Sequence, residues 1–253
     1  MFLLGPSHHF YLTNCALSRF AYYQTPLGDL KLDQEVMAEL YQTGKFGMMK
    51  QETDEDEHSL ELHLPYIYKI LSTKFANPDD FPTLVPILVG NTSRETEKEF
   101  GRMLAPYLED STSLFVISSD FAHWGLRFQY TYYLPADAQD ETSGVHLRAS
   151  DRGKIDSPKI YESIERVDKL SMDFISAGSH DGFLQNLQST GNTVCGRHPI
   201  GIVMAAMEVL RESGKLDEDE SGFKFVRYTR SSNCVKVSDS SVSYGSAFAV
   251  INC

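Results

Sequence analysis

Hydrophobic and polar positions alternate along this chain in blocks that read as buried strands separated by amphipathic helices. Met1 to Leu4 is an unbroken apolar run closed by Gly5 and Pro6. It reads as a short buried strand, because Gly accepts backbone angles other residues avoid and Pro cannot continue a central ladder. Cys15 to Phe20 reads as a second extended piece. Asp33 predicts an N-cap for a helix over 34–43, with Val36, Met37 and Leu40 on one face and Gly44 as its stop. The acidic stretch from Gln51 to His58 leads into a second helix through Leu60, Leu62, Leu64, Ile67 and Leu71, which Pro65 should kink. Pro82 to Gly90 is a near-continuous apolar strand of the kind buried in a parallel sheet. Thr92 and Glu95 then have the spacing of a capping box opening a helix to about Leu108. Ser113 to Ser118 is another apolar strand, and strand, helix, strand in that order predicts a βαβ crossover.

The second half is less regular. Residues 134–157 are polar and aperiodic and read as a surface insertion loop, either functional or disordered. An amphipathic helix over 158–177 carries Ile160, Ile164, Val167, Leu170 and Phe174 at helical spacing. A shorter one follows around 182–187, and Pro199 suits the first turn of a helix running to about Arg211. Phe223 to Tyr228 and Val242 to Ile251 read as strands added late to the same sheet. The pattern predicts an α/β fold, and 253 residues with 42% hydrophobic content suit a single domain, 1–253.

Charge narrows the partners. Lys and Arg total 23 against 35 Asp and Glu, a net charge of −12 with no basic block. This argues against nucleic acid and anionic membrane surfaces. No apolar run approaches the ~20 residues that span a bilayer, so membrane insertion is not expected. Cys15, Cys195, Cys234 and Cys253 are far apart, without metal-finger or C-x-x-C spacing. They read as reduced thiols of a cytosolic protein.

Four stretches place reactive side chains at strand ends and helix starts, where α/β folds build sites: His8-His9, Glu57-His58 with Glu61, Asp120-x-x-His123, and Cys195-x-x-His198. Imidazole and thiolate donors suit iron, copper or zinc better than magnesium or calcium. Each stretch also has a structural alternative: a hydrogen-bonded turn, a solvated helix start, an N-cap with its partner, or a buried inert thiol. Cys195 is the most suggestive, since a cysteine before a helix amino end has a stabilised thiolate. Arg197 could receive an anionic group. Trp124, Tyr130, Tyr132 and Tyr133 read as packing residues.

Together LLGPSHH, QETDEDEHSLELHLPY, FVISSDFAHWG, NTVCGRHPIG and SSVSYGSAFAV closely resemble the Memo family, named for mediating ErbB-driven cell motility. The resemblance implies a single α/β(/α) sandwich with a mixed or mostly parallel central sheet, similar to class III extradiol non-heme iron dioxygenases. It implies copper or iron held by His8 and Cys195, with His123 and Asp120 as acid-base or supporting groups. His9, Glu57, His58, Arg197 and His198 line the same expected crevice. Members of the family begin with a further strand, helix and Pro-His-Ala-Gly motif that this sequence lacks, so the resemblance implies an amino-terminally truncated chain with a weakened metal site and an unpaired strand edge.

Two functions follow from the resemblance, a redox-active metal protein and a non-enzymatic adaptor that binds phosphotyrosine peptides or signalling proteins. Ring cleavage is not favoured, because cysteine stands where the dioxygenases have a carboxylate ligand. A truncated product without function is the third reading. The expected location is the cytoplasm, with the nucleus as a second site.

Overall fold

The computed structural model describes residues 1–151, 155, 157–217 and 222–251, and its contacts divide the chain into two compact units. The first holds Met1–Ser119 and Gly196–Ile202; the second holds Asp120–Cys195 and the chain from Val203 onward.

The first unit is built on a five-stranded sheet of β1 (Phe2–Pro6), β2 (Cys15–Leu17), β5 (Phe46–Met48), β6 (Val85–Val89) and β7 (Phe115–Ile117), in the order β5-β2-β6-β1-β7. β1 runs parallel to both β6 and β7, β2 is parallel to β5, and only β2 against β6 is antiparallel. The fold is therefore mixed α/β with a mostly parallel central sheet. Every residue of β1 and β6 is buried, as unbroken apolar sequence requires of strands covered on both faces. β1 has a partner on each side, so the expected unpaired edge is not found at this strand. β7 is a sheet edge and only half-buried, although its sequence is as apolar as that of β6.

Helix starts follow local chemistry. Asp33 caps α1 (Gln34–Gln42) by accepting from the Val36 N–H at 3.1 Å. The small hairpin of β3 (Tyr22–Thr25) and β4 (Gly28–Lys31) precedes it. The expected acidic lead-in and kinked helix through Leu60 to Leu71 are instead three helices: α2 (Gln51–Asp56), α3 (His58–Glu61) and α4 (Leu64–Lys74). Pro65 lies in the first turn of α4, where its missing N–H would have no helical partner anyway, so it starts a helix rather than bending one. Ser93, not Thr92, caps α5 (Arg94–Glu109), accepting from the Thr96 N–H at 3.2 Å. α5 joins β6 to β7, and β1 lies between those two strands.

Helix α3 packs close on β1. A Cβ on Gly5 would lie 2.6 Å from Ser59 Oγ and 2.9 Å from Leu60 Cδ2, and the Ser59 hydroxyl donates to the Pro6 carbonyl at 2.8 Å. Nearby, Asp54 is buried and accepts from the hydroxyls of Tyr23 and, at 2.5 Å, Ser18. Burial raises the Asp54 pKa, and the two hydroxyls only partly oppose it.

In the second unit, β8 (His123–Trp124) pairs with β12 (Ser241–Phe248), which pairs with β11 (Lys224–Arg230), all antiparallel. The last two strands thus do not extend the central sheet. Their alternation of polar and apolar residues suits a sheet with a solvated face. Helices α6 (Ile160–Ser176), α7 (His180–Thr190) and α8 (Arg197–Glu212, with this unit from Val203) follow the predicted periodicity. α7 is longer than expected because Ser179 caps it and Gly191, at φ +63°, ends it. Trp124, Tyr130, Tyr132 and Tyr133 pack with Ile160, Ile164 and Val167 as core.

Of the polar stretch 134–157, residues 152–154 and 156 lie outside the described residues. The remainder holds more structure than its polarity suggests. β10 (Val145–His146) pairs with β9 (Tyr132–Tyr133), Leu134 and Leu147 join the core, and Arg166 donates to the carbonyls of Pro135 at 2.7 Å and Ala138 at 3.3 Å. Among the described residues no helix is long and apolar enough to cross a membrane.

Two predictions follow. Gly5→Ala is expected to cost about 1–3 kcal/mol in urea denaturation, the range for overpacking a closed contact; an unchanged midpoint would mean that α3 can shift away from β1. Folded Asp54 binds its proton more tightly than the unfolded chain does, so its contribution falls as pH rises above the ordinary value of 3.8. Wild type should therefore lose stability relative to Asp54→Asn as pH rises above about 4. Urea midpoints that stay parallel across that rise would contradict it.

Candidate functional site

In the first unit the polar residues gather where parallel strands end, the edge at which α/β sheets place ligands. β1 leads through Pro6 and Ser7 to His8. The His8 backbone N–H donates to Glu57 Oε2 at 2.8 Å, and its ring Nδ1 lies 2.9 Å from Glu57 Oε1. Glu57 caps α3, accepting from the Ser59 N–H at 3.1 Å, and has no exposed surface. Burial pushes its pKa up, but the His8 ring and the N–H groups of His8 and Ser59 outweigh that and hold it at about 2. The carboxylate therefore fixes the His8 ring through Nδ1, the arrangement common behind metal-bound histidine.

The His58 ring stacks on His8 with centroids 4.4 Å apart, and its Nδ1 is 3.7 Å from Glu57 Oε1. His9 meets His58 edge-on at 5.6 Å. One donor atom each from His8, Glu57 and His58 lie within 4.8 Å of one another. Two imidazoles and a carboxylate suit a transition metal.

The end of β6, the neighbour of β1, carries a second imidazole–carboxylate couple. His198 Nδ1 is 2.7 Å from Glu97 Oε1 and 3.0 Å from Thr92 Oγ1, which also donates to Glu97 at 3.2 Å. All three residues are buried, while Arg197 beside them is exposed. Past the end of β7, the Gly196 N–H donates to Ser119 Oγ at 3.0 Å, and a Cβ on Gly196 would lie 2.4 Å from the Ser118 carbonyl. Only glycine fits at this approach.

The second unit brings Asp120, His123 and Cys195 together. The Asp120 N–H donates to Cys195 Sγ at 3.0 Å, and the Cys195 N–H donates to the Asp120 carbonyl at 3.2 Å. The His123 N–H donates to Thr193 Oγ1 at 2.7 Å. Its Nδ1 faces the carbonyls of Phe121 and Thr193 at 3.0 and 3.1 Å. Carbonyls only accept, so in the neutral ring Nδ1 carries the hydrogen and Nε2, 3.8 Å from Asp120 Oδ2, presents the lone pair.

Cys195 is half-buried, whereas Cys15 and Cys234 are buried. Burial raises the thiol pKa of both, that of Cys234 to about 11, which makes them poor ligands and nucleophiles. Cys253 lies outside the described residues.

Sequence reasoning did not single out Thr92, Glu97 or Thr193 as parts of these clusters. Thr92 reads as a helix-start residue, and no local pattern announces that the Glu97 carboxylate will meet an imidazole 101 positions away.

The family described as Memo-like protein matches residues 1–248. Protein MEMO1 of Xenopus laevis is 45% identical over 252 residues, covering 100% of this chain and 75% of its own length. Protein MEMO1 of Homo sapiens is 42% identical over the same shares. A MEMO1 family protein of Schizosaccharomyces pombe is 40% identical over 251 residues, 98% of this chain and 77% of its own. Among solved structures, an uncharacterized protein from Escherichia coli K12 covers 96% of this chain and 85% of its own at a TM-score of 0.49 and 12% identity, a likeness too loose to argue from. By the extent of the family match and the identity of these relatives, the chain belongs to the Memo-like family.

Proposed function

We propose that this protein binds copper or iron as a single Memo-type domain and serves a redox or cell-signalling role of the cell-motility kind, in the cytoplasm and the nucleus. The observation that carries the reading is the His8 ring anchored through Nδ1 on buried Glu57. His8 offers the imidazole ligand in the first unit, and Cys195, in the second, is the thiolate donor that the family resemblance implies. The residues fit such a metal: imidazole and thiolate are borderline and soft donors, and the His8 ring is already oriented by a carboxylate. Bound there, copper or iron would supply one-electron redox chemistry. His123 holds or moves a proton at Nε2, with the Asp120 carboxylate 3.8 Å away to stabilise the charged ring. His58 stacks on the His8 ring, and His9 packs edge-on against His58.

A second reading, capture of a phosphotyrosine peptide, draws on Arg197, exposed at the first position of α8, and on the buried His198 beside it. A guanidinium at a helix start suits a phosphate.

Anaerobic loading with Fe(II) and, separately, Cu(I) should give near-stoichiometric metal in the wild type and a loss of most of it in His8→Ala and Cys195→Ala. Glu57→Gln, which keeps His8 but weakens its anchor, should lower affinity about tenfold, within the range for groups that orient a ligand. Metal content unchanged in all three variants would rule the site out. Peptide titration before and after chelator treatment separates the readings: phosphopeptide affinity that survives chelation and falls in Arg197→Ala supports the adaptor, and absence of binding in both states removes it.

A further inference from the structure

In the second unit, residues 120–123 and 192–195 lie side by side and are joined at intervals. At one end Asp120 and Cys195 exchange the N–H···Sγ and N–H···O bonds of 3.0 and 3.2 Å. At the other, the His123 N–H reaches Thr193 Oγ1 at 2.7 Å. Between them the Ala122 N–H meets no group of the facing segment. It donates instead to Asp168 Oδ1 at 3.1 Å, and the same oxygen accepts from Asn192 Nδ2 at 3.0 Å. One carboxylate oxygen thus bridges the two segments, from the Ala122 N–H on one to the Asn192 amide on the other.

The rest of Asp168 is equally committed. It projects from α6 with no exposed surface, and Oδ2 accepts from the Tyr228 hydroxyl at 2.9 Å, which also reaches Ser243 Oγ at 3.1 Å. Asn192 Nδ2 makes a second bond, to Ser171 Oγ at 3.2 Å, so its orientation is fixed as well. The donors on Asp168 are neutral amides and hydroxyls. A carboxylate buried among neutral donors is costly, and well-packed apolar residues would often do at least as well for stability alone.

We propose that Asp168 is a positioning residue, whose carboxylate fixes the spacing between the segment that carries His123 and the segment that carries Cys195. This rests on the reading of Cys195 and His123 as site residues. Without the bridge, the reciprocal Asp120–Cys195 bonds and the carbonyl contacts that set the His123 tautomer lose their common support.

The test is the labelling rate of Cys195 by iodoacetamide, read by peptide mass, beside metal affinity and thermal stability in five forms of the full chain: wild type, Asp168→Ala, Asp168→Asn, Asn192→Ala and Tyr228→Phe. Asp168→Ala and Asn192→Ala each remove one half of the bridge. They should label Cys195 several-fold faster and bind metal about tenfold more weakly. Asp168→Asn should stay close to wild type, because its amide oxygen still accepts from Ala122 and Asn192 while its NH2 faces hydroxyls able to accept. Tyr228→Phe cuts only the far oxygen and should lose stability without faster labelling. Wild-type labelling in folded Asp168→Ala and Asn192→Ala would overturn the proposal, as would labelling that tracks stability equally across all variants, Tyr228→Phe included. Should Asp168→Ala not fold, Asn192→Ala decides. Should wild type take up no metal, the metal reading fails, and the labelling rates still decide the role of Asp168.

Discussion

The first unit turns on one buried negative charge. Glu57 has no exposed surface and keeps its ionised form only because three donors converge on it, two from His8 and one from Ser59. Loss of any one would leave a buried carboxylate short of a partner, which costs more than the bond itself contributes. The donors come from two elements, the end of β1 and the start of α3, so the charge is stable only while those elements stay in register. Gly5 makes that register possible, since a side chain there would push Ser59 away. Strand pairing, glycine contact and imidazole orientation are one constraint seen at three levels.

The elements that could be read from the sequence were those whose signal is local. β1 and β6 are continuous apolar runs, α1 has a cap and a stop, and α6 keeps helical periodicity over 17 residues. What failed to show was set by distant contacts. The sequence around Pro65 is equally consistent with a kink and a helix start, and only the break before Leu64 decides it. Thr92 has the composition of a cap but is taken by His198 and Glu97, leaving the cap to Ser93. β11 and β12 look like late strands of any sheet. Their pairing with β8 rather than with the central sheet is a matter of topology, about which side-chain alternation is silent.

The candidate site was legible to a similar degree. Histidines after Gly-Pro-Ser and cysteine in Cys-Gly-Arg-His-Pro stand out because they occur at strand ends and helix starts. The groups that hold them do not. Glu57 is one of several carboxylates between positions 52 and 57, of which Asp54 and Glu57 are buried, and only contacts with distant residues tell the two apart. Asp168 sits on a helix whose polar positions look solvated, yet it is fully buried. Buried acids of this kind are invisible to periodicity, because the pattern records where apolar residues recur and not which polar ones the fold encloses.

Three histidines share one arrangement in different ways. His8 and His198 each set Nδ1 against a glutamate, so charge as well as direction holds the ring. His123 sets Nδ1 between two carbonyls, which fix direction alone. The difference matters for chemistry. A ring gripped by a carboxylate is stabilised as it donates to a cation, which suits a ligand. A ring oriented by neutral carbonyls, with a carboxylate 3.8 Å from Nε2, gains an ion-pair partner when Nε2 takes a proton, which suits proton handling. In the proposed function, the division of roles between His8 and His123 rests on what each Nδ1 faces, which backbone and buried side chains set rather than the imidazoles themselves.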